Sequence, residues 1–252
     1  MKIEDFTLKL GEDNIPWRLF TPDNASKEFC VLWIQGWSSS MDSHREGVER
    51  MVKQTGLVFA TLDPAGHGLH RHPMEDTTRK QQSGEVISIY DELVKLGFKK
   101  IIVIGGSFGG YLTALLVGKR PAHAAVLRVP ANYPDDEFEL QYKETLEKKK
   151  DYAAYVANKA ADGRLVNSMA TKAIKNYDGF VYVVEHELDE VVPAKIPKHY
   201  FAAAKHGNYL IVPNTKHSPK VMKDSQAHFA YIEHVVVSIV KAIIMQETLE
   251  SE

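Results

Sequence analysis

Apolar residues along this chain gather in short runs, separated by longer segments in which they recur every three or four positions. The runs span residues 29–34, 57–62, 100–104, 124–129, 180–184 and 209–212. They are rich in β-branched and aromatic residues, and several are apolar throughout, as expected of strands covered on both faces. Between them the spacing predicts helices at about 43–55, 77–96, 108–119 and 194–205. Strand–helix alternation of this kind implies a mostly parallel sheet with helices on both faces, built from right-handed crossovers. The opening differs: residues 5–10 and 17–21 flank Gly11-Glu12-Asp13-Asn14, the signature of an antiparallel hairpin at the sheet edge.

Near the C-terminus, Phe229, Ile232, Val236, Ile239, Val240 and Ile243 form one helical stripe, predicting a long helix laid on the sheet. One segment breaks the alternation. Residues 131–176 hold no strand-like run but many charges, including Lys148, Lys149 and Lys150, with Tyr142, Leu146, Tyr152, Tyr155 and Val156 at helix-compatible spacing. This reads as a small helical insertion on a single α/β domain spanning 1–252, with its lysine run a solvated face.

Composition narrows the class without adding chemistry. The 252 residues are 44% hydrophobic and 25% charged, which excludes disordered and fibrous chains. A net charge of −2 gives no long-range attraction for polyanions, so no nucleic-acid partner is expected. The single cysteine, Cys30, excludes an intramolecular disulfide and sits in an apolar run, where a thiol is buried and inert. The N-terminus is acidic at once, with no apolar leader, and no stretch approaches the ~18 uncharged apolar residues of a membrane span. A soluble cytoplasmic protein without a membrane partner is the expectation.

Candidate chemistry begins where residues 101–104 run into Gly105-Gly106-Ser107-Phe108-Gly109-Gly110 and then into the helix pattern from Tyr111. Glycines at 105 and 109 set G-x-S-x-G around Ser107 between a strand and a helix. So sharp a turn strains the serine and lifts its hydroxyl above the sheet, at a helix N-terminus where developing negative charge is favoured. A phosphate cradle is the competing use of such a turn, but neither G-x-G-x-x-G nor the P-loop lysine pattern is present. A serine that merely caps the helix is the bland alternative.

A serine nucleophile needs a base, and the base needs an orienting group. After the strand at 180–184 come Glu185, Glu187, Asp189 and Glu190; after the strand at 209–212 comes His217. His217 follows the last strand and precedes the last helix, where the serine–acid–histidine order places the base. Geometry alone leaves all four acids open.

Together these residues resemble the α/β-hydrolase superfamily over nearly the whole chain. Ile34-Gln35-Gly36-Trp37 resembles the family's loop after the third strand, with Gln35 where a histidine is usual, and this implies oxyanion donors at the backbone N–H groups of Trp37 and Phe108. Asp63-Pro64-Ala65-Gly66-His67-Gly68 is similar to the family's structural turn after the fourth strand. Asp189-Glu190-Val191-Val192-Pro193 resembles its acid loop, which selects Asp189 over its glutamate neighbours. The family commonly carries a helical cap between the sixth and seventh strands, where 131–176 falls. His67, His70 and His72 with Asp63 match no closed zinc pattern, and no metal or cofactor is expected.

The resemblance implies a serine hydrolase with Ser107, His217 and Asp189 as triad, acting on a small to medium carboxylic ester. An aspartate-nucleophile dehalogenase is disfavoured by Ser107. Thioester or peptide substrates would use the same triad, a noncatalytic binder would keep the fold alone, and a scaffold would use the C-terminal stripe. Gln35, Gly36, Trp37, Tyr133 and Tyr142 are the candidate substrate-binding residues, with Phe138, Tyr152 and Tyr155 as further cap aromatics.

Overall fold

The computed structural model describes residues 1–146 and 163–250. Eight strands form one sheet in the order β1-β2-β4-β3-β5-β6-β7-β8. The first two, β1 (Lys2–Leu10) and β2 (Asp13–Thr21), make the antiparallel hairpin expected at the edge, turned at Gly11 and Glu12. They are longer than the apolar pattern indicates, because β1 is exposed along much of its length and tolerates polar residues. β2 also runs antiparallel to β4 (Val58–Leu62); from there β3 (Phe29–Ile34), β5 (Lys100–Gly106), β6 (Ala124–Arg128), β7 (Phe180–Leu188) and β8 (His206–Lys216) are parallel.

Period-two side-chain alternation splits each central strand between two cores. Cys30, Leu32 and Ile34, with Ile101, Val103, Ala125 and Leu127, face one side, where α2 (Arg79–Lys95), α3 (Phe108–Val117) and α5 (Met169–Asn176) supply Ile89, Leu112 and Ile174. Also on that side lies α6 (Lys195–Ala203), through Ile196 and Tyr200. Phe29, Val31 and Trp33, with Ile102, Ile104 and Val126, face the other, under α1 (Met41–Thr55) and α7 (Ser225–Glu250). The C-terminal stripe therefore packs on the sheet as its spacing predicts, with Ile232, Val236, Ile239, Val240 and Ile243 in the second core. By length and composition alone the stretch Ser225–Glu247, mean hydropathy 1.5, could cross a membrane, but Glu233 and Lys241 interrupt it, and one of its faces packs on the sheet.

Between β6 and β7 the described residues hold short turns of helix at Asp135–Glu137 and Arg164–Asn167, with α4 (Tyr142–Leu146) between them. The last part of the expected insertion, α5, belongs to the main stack: Ala170 and Ile174 are buried against the sheet's helical layer. A crossover between neighbouring parallel strands needs a helix on the sheet, and α5 supplies it. Lys148, Lys149, Lys150, Tyr152, Tyr155 and Val156 lie outside the described residues.

Candidate active site

Ser107, Asp189 and His217 all sit at the carboxyl ends of parallel strands, after β5, β7 and β8. Ser107 joins β5 to α3 with φ 54° and ψ −116°, a conformation an L-residue holds only when its surroundings impose it. The imposing contacts are backbone ones. Ser107 N donates to Arg128 O at 2.9 Å, and Ser107 O accepts from Gly110 N and Ala131 N, each at 3.0 Å. Val129, facing this junction, is itself at φ 40°, so both chains crossing here are strained. The flanking glycines are needed for approach: a Cβ on Gly109 would overlap the Ile34 carbonyl and lie 2.6 Å from Gln35 O.

His217 follows β8, and its Nε2 lies 3.0 Å from Ser107 Oγ. Its Nδ1 lies 2.7 Å from Asp189 Oδ2. A carboxylate accepts only, so Nδ1 carries the proton and the Nε2 lone pair faces the serine hydroxyl. Asp189, the first residue beyond β7, is fixed through its other oxygen, which accepts the Val191 and Val192 amides at 2.8 Å each. The three glutamates left open by the sequence are engaged elsewhere. Glu185 accepts from the Tyr209 hydroxyl, Glu187 from Asn214 N at 2.7 Å, and Glu190 from His217 N at 3.3 Å.

The loop after β3 lies against this turn: a Cβ at Gly36 would meet Gly106 O at 3.3 Å and Ser107 Cβ at 3.4 Å. Neither the Trp37 nor the Phe108 amide donates to another described residue, and Phe108 opens α3, where the first amides have no partner within the helix. Gln35 is buried and its Nε2 donates to Asp63 Oδ1 at 2.9 Å, so its side chain braces the turn after β4. Asp63 also accepts Met41 N and Leu69 N at 2.8 Å; burial is the largest influence on its carboxyl and raises its pKa.

Trp37 is the exposed aromatic of the group, 36% accessible, and its ring meets Tyr142 at 4.5 Å, Phe108 at 5.4 Å and His67 at 5.7 Å. Tyr142 is buried and donates to Gln82 Oε1 at 2.7 Å; Tyr133 is buried between Phe108 and Tyr111. These two therefore form the floor behind Trp37. His67 stacks parallel to Phe108 with Nδ1 at 3.1 Å from Ala65 O, and burial lowers its pKa. His70 Nε2 lies 3.4 Å from Glu85 Oε1, and His70 Nδ1 accepts from His72 N, so Asp63 and the three histidines serve the turn and its anchor on α2.

Two features escape a reading of the sequence alone. Arg79, buried at the start of α2, donates to Glu137 and lies 4.3 Å from the Tyr133 ring centre, tying the cap's first turn to the domain. Arg128 ends β6, and its carbonyl accepts the Ser107 amide; a lone cation closing an otherwise apolar run is the signal that marks it. Its Nη1 donates to His186 Nε2 at 3.4 Å, while His186 Nδ1 donates to Lys216 O at 2.8 Å. Burial, then the Arg128 charge, pushes His186 down to about 3. That histidine is neutral when folded and protonates from about 6.5 when unfolded. Its contribution to stability is therefore present above about pH 6.5 and falls away as pH drops toward 3. The expected loss is about 2 kcal/mol by about pH 5. Urea unfolding at pH 7 and 5 measures it; His186→Asn, which keeps a donor for Lys216 O, flattens that slope by one proton.

Residues 30–235 match the profile of a family described as Uncharacterised protein family (UPF0227). No curated protein sequence matches. Among solved structures, the chain resembles Est1E from Butyrivibrio proteoclasticus with bound ferulic acid (TM-score 0.72, 17% identity), covering 95% of this chain and 99% of that one. It also resembles a thioesterase domain from the curacin biosynthetic pathway (0.66, 12%, 94% and 100%). A third likeness is to α/β hydrolase domain-containing protein 10 from mouse (0.65, 18%, 94% and 99%). At these identities the likeness is one of fold.

Proposed function

Since the chain belongs to the Uncharacterised protein family (UPF0227), within the α/β-hydrolase superfamily, we propose that it is a serine hydrolase cleaving a small to medium carboxylic ester. One observation carries this reading: a continuous hydrogen-bonded line from Ser107 Oγ through His217 to Asp189, at 3.0 and 2.7 Å. His217 Nε2 takes the hydroxyl proton as Ser107 Oγ attacks the acyl carbon. Asp189 holds the imidazole and stabilises the imidazolium. The Trp37 and Phe108 amides receive the oxyanion, each such donor lowering the barrier by about 3 kcal/mol. His217 then protonates the departing alcohol, and water repeats the attack on the acyl-enzyme. The step as written uses side chains and backbone amides alone.

Trp37 is the exposed ring of the group, with Gly36 against Ser107 and the buried Tyr142 at its edge. A compact aromatic floor supports acyl groups of modest size. The likeness to a thioesterase domain favours a thioester as the second reading, since the same triad performs that transfer. A cytoplasmic location is part of the proposal.

The test is labelling with a fluorophosphonate, followed by p-nitrophenyl esters of increasing acyl length. Wild type labels at Ser107, Ser107→Ala does not, and turnover peaks at short chains. A folded, monodisperse wild type that neither labels nor hydrolyses any ester would end the hydrolase reading.

A further inference from the structure

Three arginines are drawn into this fold, and their partners differ. Arg18 bonds Asp5 and Asp42 at 2.5 and 2.7 Å, and Arg79 bonds Glu137 at 3.2 Å. Arg128 has no carboxylate within ion-pair distance among the described residues. Among the described residues its side chain bonds the neutral His186 ring alone, leaving the rest of a five-donor fork without an acceptor there. The side chain is only partly exposed. A cation drawn partly out of water with no carboxylate bonded to it is costly to keep, so folds retain such a group mainly where something else completes it.

Position says where that completion comes from. Arg128 pairs with Gly106 in the β5–β6 register, one residue before the nucleophile, and its Nη2 lies 2.6 Å from where a Gly106 Cβ would sit. The missing side chain at 106 thus leaves the guanidinium its place over the residue before Ser107, and the Ser107 amide bonds the Arg128 carbonyl at 2.9 Å. Asp189 is the nearby anion, but one of its oxygens holds His217 and the other holds two amides. Among the described residues it is the one charge that acts on Arg128 itself, while Arg128 and Lys220 act on His44 of α1, and Asp189 and His217 on the neighbouring His186. Burial and the Arg128 charge hold His44 neutral, at about 4. Burial likewise brings Arg128 down to about 10, still fully charged at neutral pH.

We propose that Arg128 is an anion-recognition residue of this site, selecting substrates that carry a carboxylate or phosphate close to the scissile ester. The inference deepens the hydrolase reading and rests on it for the word substrate; the anion site itself does not depend on turnover. An incoming carboxylate accepts two guanidinium N–H groups in the fork geometry that lysine cannot reproduce.

Binding is read first on Ser107→Ala protein by titration calorimetry with monomethyl glutarate against dimethyl glutarate. The mono-acid binds at least tenfold tighter. Adding Arg128→Met removes that difference, and Arg128→Lys keeps part of it. In the Ser107 enzyme, the kcat/KM ratio of p-nitrophenyl hydrogen glutarate to p-nitrophenyl pentanoate falls at least tenfold on Arg128→Met. A mono-acid preference that is absent in Ser107→Ala protein, or that survives Arg128→Met, overturns the proposal. A preference that depends on Arg128 in a protein whose Ser107 never labels keeps the anion site and overturns the hydrolase reading instead.

Discussion

Asp189→Asn lowers kcat for any ester substrate about 10⁴-fold while leaving folding and Ser107 in place. The side-chain oxygen that accepts Val191 N and Val192 N survives in the amide, so the loop keeps its shape. What changes is the 2.7 Å bond to His217 Nδ1. An asparagine NH₂ there donates, which forces the ring proton onto Nε2 and aims it at Ser107 Oγ. The base then presents a proton where it needs a lone pair. His217→Ala removes the base outright and costs up to about 10⁶-fold. Stopped assays on p-nitrophenyl butyrate, with circular dichroism to verify folding, measure both. A loss below tenfold for Asp189→Asn would mean that Asp189 does not orient the base.

The second large effect is on stability. Gly109→Ala abolishes folding or costs more than about 4 kcal/mol, although alanine normally improves a helix by about 1 kcal/mol over glycine. The added methyl meets backbone: the carbonyls of Ile34 and Gln35, at the end of β3, leave no room for it. Neither partner can yield. Ile34 is paired with Gly105 in the sheet, and Gly109 is in the first turn of α3. The control is Gly84→Ala, inside α2, where a Cβ meets nothing within 4 Å. That change raises stability by about 0.5–1 kcal/mol. Urea midpoints of the two variants should move in opposite directions, and equal behaviour would contradict the close approach of α3 to β3.

The parallel strands at the centre are legible because both faces are covered, which writes them as unbroken apolar runs; β3 matches its run residue for residue. Edges and strand ends are not. β8 begins three residues before its apolar run and continues through Pro213 and Asn214, since an edge strand tolerates polar and ring residues. β7 carries Glu185, His186 and Glu187, which read as loop because each has a polar task at the strand's end. The elbow was visible through its glycines, but their reason, contact with β3, is tertiary. Local sequence also could not divide the acids near 189. Each glutamate's separate partner, on β8 or the loop after it, only becomes apparent once β7 and β8 lie side by side. Gln35 presents the same difficulty: its partner Asp63 lies on another strand's exit.

The cross-ties between those last two strands bear on how the machinery is divided along the polypeptide. Glu187 to Asn214, Glu190 to His217 and Asp189 to His217 make the proposed acid and base one braced assembly at the ends of β7 and β8. The proposed nucleophile belongs to the preceding half, just beyond β5, and β6 joins the two through five paired positions with β7. A chain severed between β6 and β7 would leave one fragment with an unactivated hydroxyl and the other with a base lacking its target. Neither fragment would hold partial chemistry, so recovered turnover on mixing them would count reassembled sheets and nothing else.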